Sequence, residues 1–125
     1  MPYEINIDEK NEIINVRVWG SAARGDHLTA RNEAAKLCGK WDFKRLLIDL
    51  KDLKTGKGIS TMGCYRFGES LTKGILPLDI RIAHVMPSDE EAYRAVELAT
   101  SVAQNRGGMV RDFNTPVQAK KWLLS

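Results

Sequence analysis

The residues able to do chemistry are few and scattered. His27 and His84 are the two histidines of the 125-residue chain, and Cys38 and Cys64 its two cysteines. Neither histidine belongs to a His/Cys/Asp/Glu group with the spacing of metal ligands, so each reads as a satisfied structural imidazole and no metal is expected. Both cysteines sit among apolar neighbours in stretches of helical period and read as buried free thiols. Two are too few for a disulfide framework. Asp49 and Asp52 lie three residues apart. Paired carboxylates do acid–base work when their surroundings push their pKa values apart, but no nucleophile elbow or metal partner accompanies these. Asp49 therefore reads as a polar support, a hydrogen-bond acceptor where a central strand ends. Trp19, Trp41 and Trp122 are too dispersed for a stacking platform, and core packing is expected of them.

One segment invites a closer look. Thr55-Gly56-Lys57-Gly58-Ile59-Ser60-Thr61 resembles a phosphate loop until its spacing is checked. A phosphate loop needs glycine, four residues, then Gly-Lys followed directly by Ser or Thr. Here Gly58 follows Lys57, and Lys51 stands where the first glycine belongs. A dinucleotide fingerprint would need glycine at Thr61. Neither nucleotide site is expected, and no cofactor. The physics of the place still matters. A strand ends near Leu50 and a helix begins near Ser60. Ligands of open α/β sheets bind outside the carboxyl ends of strands, and a helix start offers free N–H groups and partial positive charge. With Lys51, Lys54, Lys57 and Gly58 beside it, this region is the candidate partner or anion site. Ser60 and Thr61 are the candidate phosphorylation positions. The bland alternative is a capping serine among solvated lysines.

The elements that must position these residues follow from hydrophobic periodicity. Tyr3, Ile5 and Ile7 alternate with Glu4, Asn6 and Asp8, and Ile14, Val16 and Val18 alternate with Asn15, Arg17 and Trp19. This predicts a β-hairpin, ended by Gly20. From Asp26 to Lys40 the period becomes helical. Leu28, Ala34, Ala35, Leu37 and Cys38 share a stripe away from Arg31, Glu33, Lys36 and Lys40, and Gly39 is the expected stop. Arg45 to Leu50 is nearly continuous and apolar, as suits a central strand covered on both faces. Lys51 to Gly58 reads as a basic loop. A helix is predicted from Ser60 to Lys73, weakened by Gly63 and Gly68. Ile80 to Met86 makes the next strand. Ser88 with Glu91 predicts a capped helix start, Ala92, Ala95, Val96, Ala99, Val102 and Ala103 its inner face, and Gly107 its end. Met109 to Phe113 is a last strand. Thr115, Pro116 and Gln118 open a final helix, docked by Ala119, Trp122 and Leu123. The order β-β-α-β-α-β-α-β-α predicts one α/β domain over residues 1–125, with a mixed, mostly parallel five-stranded sheet and four helices.

Composition bounds the function. Lys and Arg outnumber Asp and Glu by 19 to 16, a net charge of +3, and 43% of residues are hydrophobic. That is ordinary for a folded domain and excludes wholesale disorder. It does not mark a nucleic-acid binder, whose positive charge is clustered. Local balance is more informative. Between Lys36 and Lys57, Lys36, Lys40, Lys44, Arg45, Lys51, Lys54 and Lys57 face Asp42, Asp49 and Asp52, a net +4. The remainder nets −1, so an acidic or phosphorylated partner is expected at the basic segment. The N-terminus lacks a basic region followed by an apolar core, and no apolar run approaches the ~20 residues of a membrane helix. A cytoplasmic location without a membrane span is the expectation.

The element order, the Leu46-Leu47-Ile48-Asp49-Leu50 strand leading to a helix begun at Ser60, and the closing Val110-Arg111-Asp112-Phe113 with Ala119 and Trp122-Leu123 resemble the STAS superfamily. Gly20 after the hairpin and Leu47-Ile48-Asp49 bring it near the small bacterial branch called SpoIIAA-like, which is similar to anti-sigma factor antagonists. The resemblance spans nearly the whole chain. It implies a non-enzymatic regulatory module that binds a protein partner, such as a regulatory kinase or anti-sigma-like factor. In the antagonists a partner kinase phosphorylates a serine at the start of the helix after the central strand. Ser60 is the matching position, with Ile59 where those antagonists carry aspartate. The architecture is also similar to lipid-carrying CRAL-TRIO domains, so a small apolar, lipid-like ligand between sheet and helices is the alternative, motivated by Gly63 and Gly68. A homodimer paired through the hairpin edge at Tyr3–Asp8 is a further option.

Overall fold

The computed structural model describes residues 3–21, 26–54 and 79–125. Strands β1 (Tyr3–Asp8) and β2 (Ile13–Ser21) form the predicted hairpin. Helix α1 (Asp26–Trp41) leads to β3 (Arg45–Lys54), and β4 (Arg81–Val85), α2 (Glu90–Asn105), β5 (Met109–Phe113) and α3 (Pro116–Leu123) follow. The protein is α/β, with a mixed five-stranded sheet ordered β1-β2-β3-β4-β5. The β1–β2 pair is antiparallel and the other three pairs are parallel. Three helices lie among the described residues. The predicted helix Ser60–Lys73 falls outside them, so the fourth helix is not part of the described fold.

Alternation divides the sheet into two unequal faces. Ile14, Val16, Val18, Leu46, Ile48, Leu50, Ile82 and Val110 join Ala30, Ala34 and Cys38 of α1 and Val96 and Ala103 of α2 in the larger core. On the other face Ile13, Leu47, Ala83 and Val85 meet Ala119 and Leu123 of α3. Eight helical residues span only about 12 Å, and the contacts of α3 are with β3, β4 and β5. Two arginines at the starts of strands hold its carboxyl end. Arg45 Nε donates to the Leu123 carbonyl at 2.9 Å, and Arg81 Nη1 to the Trp122 carbonyl at 2.9 Å. Both satisfy carbonyls that a helix end leaves unpaired, and positive charge is favoured there.

Several boundaries differ from the sequence expectation. Gly39 does not stop α1, which runs on to Trp41. Asp42 takes the left-handed turn, φ +56°, and Phe43 N–H reaches back to the Cys38 carbonyl at 3.1 Å. A short polar side chain tolerates this conformation, so glycine is not needed. Arg31 is not outside the apolar stripe but buried, with Nη2 on Asn32 Oδ1 at 2.7 Å; burial lowers its pKa. Asp89, not Ser88, caps α2 by accepting from Ala92 N–H at 3.0 Å. Its inner face takes Thr100 in place of Ala95, which is only half-buried. Thr115 caps α3 as expected, accepting from Gln118 N–H at 3.2 Å. Gly107 turns at φ +91° just past α2, the expected terminating glycine. None of the three tryptophans is fully buried: Trp41 is exposed, and Trp19 and Trp122 are half-buried beneath arginines.

Candidate functional site

The carboxyl end of β3 departs most from the expected pattern. The strand does not end near Leu50; it continues to Lys54, where a basic loop was expected. The reason lies in its neighbour. β2 also runs on, with Trp19 opposite Asp52, Gly20 opposite Leu53 and Ser21 opposite Lys54, so the ladder can be extended. Between Arg17↔Asp49 and Trp19↔Asp52, β3 carries one residue more than β2. Such a bulge shifts the alternation and re-aims side chains. Here it returns Leu53 to the larger core and places Asp52 on the face of Arg17.

Asp49 holds this irregularity in place. Its Oδ1 accepts from Lys51 N–H at 3.0 Å, and Ser88 N–H donates to the Lys51 carbonyl at 3.1 Å. Both backbone groups of Lys51 thus find partners where the ladder is interrupted. The carboxylate stands within the strand rather than at its end. Lys51 and Lys54 are exposed beside it, and β4 pairs with β3 only as far as Asp49↔Val85. Lys57, Gly58, Ser60 and Thr61 lie outside the described residues, as do Gly63 and Gly68.

The same sheet face carries an arginine the sequence reading passed over. Arg17 Nη2 donates to Asp52 Oδ2 at 3.0 Å, Nη1 stands 3.9 Å from Glu4 Oε1, and the guanidinium lies 5.5 Å over the Trp19 ring. The bond to Asp52 raises the pKa of Arg17 further. Asp52 is thereby committed to Arg17 rather than paired with Asp49 for acid–base work. Between these strands and α3 runs a groove of about 240 Å³, with Asn6, Asn15, Arg17, Leu47, Asp49 and Lys120 among its walls. The sequence hint was the polar half of the β2 alternation; it marked a solvated face but not its pairing with Asp52, which depends on the bulge.

The expected basic segment does not form one patch. Lys44 stands within 3.3 Å of Asp79, and Arg45 is used by α3, both at the amino end of β3. At ~3.3 Å per residue, Lys51 lies roughly 20 Å further along the strand. Chain proximity in an extended strand is not spatial proximity, so Lys51 and Lys54 are the described lysines at the carboxyl end.

His84 is a core imidazole as expected, but only one of its ring nitrogens is satisfied. It is fully buried, with Nδ1 3.2 Å from both Thr100 Oγ1 and Asp112 Oδ1. The Thr100 hydroxyl gives its one hydrogen to Asp112 at 2.6 Å. Nδ1 therefore carries the ring hydrogen and donates to this pair. The buried Nε2 has no partner among the described residues. Cys38 is a buried free thiol, its pKa pushed up to about 11 by loss of solvation. His27 and Cys64 have no described side chain. Among the described residues no three of His, Cys, Asp or Glu gather as metal ligands, and no helix is long and apolar enough to cross a membrane. No protein-family model matches the chain, and no curated protein matches it.

Proposed function

We propose that this domain is a non-enzymatic regulatory module of the STAS type, docking a protein partner at the carboxyl ends of β2 and β3. The observation that carries the reading is the bulged overhang of β3. Asp49 and Ser88 fix the Lys51 backbone, and the exposed Lys51 and Lys54 stand beyond the last β4 pairing. A fixed backbone bearing two cations is a surface suited to an acidic partner. Ser60 follows six residues after Lys54 in the chain. A phosphate there would add about −1.5 to −2 charge and oppose such a partner. The module releases its partner when Ser60 is phosphorylated.

Affinity capture with four immobilised chains tests this: wild type, Ser60→Ala, Ser60→Asp, and the double variant Lys51→Glu, Lys54→Glu. The expected result is a protein held by the first two and lost from the last two. Equal retention by all four would sink the reading.

A further inference from the structure

The sheet has two edges, β1 and β5, and they are finished differently. On β5, the Gln104 side chain of α2 donates to the Val110 carbonyl at 2.7 Å, so a backbone acceptor of that strand is already occupied. Among the described residues β1 has no comparable cover. It pairs with β2 in unbroken register from Tyr3↔Val18 to Asp8↔Ile13, without a bulge. It contains no proline, a common device that keeps an edge from pairing. Among the described strands none lies on its outer side. Ile5 and Ile7 are only half-buried and pack against the rim of the larger core.

We propose that β1 pairs with β1 of a second copy, antiparallel, about a two-fold axis through Ile5. The side chains choose this register. An axis through Asn6 sets Glu4 against Asp8 of the second copy, twice; an axis through Glu4 sets two glutamates face to face. Like charges directly opposite are destabilising. An axis through Ile7 leaves only Asn6 to Asp8 paired within the strand. An axis between two residues puts apolar and polar side chains opposite each other on one face. The Ile5 axis avoids all four faults. It pairs residues 3–7, sets Ile5 against its copy and Tyr3 against Ile7 on the apolar face, and sets Glu4 against Asn6 on the other. The contact is self-complementary, as closed two-fold dimers require, and extends the sheet by strand addition.

Sedimentation velocity of the full chain over a concentration series tests the proposal. The wild type is expected to show a monomer–dimer equilibrium. Asn6→Lys places a cation opposite Glu4 at both ends of the ladder and should lower the dimer Kd by about tenfold. Asn6→Glu should raise it by about tenfold, at roughly 0.7 kcal/mol for each of the two symmetric pairs. Asn6 is exposed, so circular dichroism should be unchanged in both. If Asn6→Glu does not fold, the tightening by Asn6→Lys still decides. A chain that is monomeric throughout overturns the proposal, as does a Kd that neither variant moves or that both raise.

Discussion

The two faces of the sheet solve the same problem with different means. Beneath α1 and α2, every strand contributes apolar side chains, and Ile14, Val16, Val18, Leu46 and Val110 are each at most 1% exposed. On the opposite face the apolar stretch, among the described residues, lies under the eight-residue α3, and over β1 and β2 it gives way to Asn6, Asn15 and Arg17. Burial in the first region is bought by hydrophobic area. In the second, polar groups stay in water and satisfy each other at low net gain. Among the described residues, the side chains of that half are exposed or half-buried and take no part in either core cluster.

The sharpest way to break this contrast is a pair of truncations. Leu46→Ala should lower the unfolding free energy by about 3 kcal/mol through lost transfer and a cavity, whereas Asn15→Ala on the open half should stay within about 0.5 kcal/mol. Urea denaturation measures both, and equal costs would mean the open half is not a solvated face. The next effect is a pH dependence confined to the covered face. The Cys38 thiol is raised from 9.0 to about 11, so the folded state holds a proton that the unfolded state releases. Stability is then full below pH 9 and falls as pH rises from 9 to 11, by about 2 kcal/mol. Cys38→Ala should flatten that part of the curve; an unchanged slope would show that the thiol is solvated in the folded protein. Smaller again is the polar cluster under α2. Thr100→Val keeps the shape but removes the donor to Asp112 and should cost about 1.5 kcal/mol. A neutral or stabilising outcome would mean the cluster is solvated like the open half. Smallest is Arg17→Gln, which breaks an exposed ion pair and should change stability by about 0.3 kcal/mol, less at high salt. A loss above about 1 kcal/mol would make Arg17 part of the framework.

Much of the fold was legible because periodicity reports burial. The alternation of Tyr3 to Asp8 and Ile14 to Trp19 located the hairpin, Met109 to Phe113 a strand, and Thr115-Pro116 a helix start. The candidate site was legible only in part. Leu50-Lys51-Asp52-Leu53 breaks a period of two, and read alone it resembles the end of a strand. The ladder continues there because β2 supplies backbone partners and Asp49 caps the extra residue, neither of which is local information. Gly39 misled for a similar reason: glycine permits a helix to end, but Asp42 and the docking of Phe43 decided where.

The α/β order, the two-sided burial of β3 and the polar half of the hairpin are written locally in the chain, since these depend on which residues must leave water. Packing in three dimensions chose what those residues meet. It set Asp52 on Arg17 through a bulge, gave Arg45 and Arg81 to the end of α3, joined His84 to Thr100 and Asp112, and left β1 at an edge. Each of these pairs side chains far apart in the chain, and only the packing of strands and helices fixes such distances.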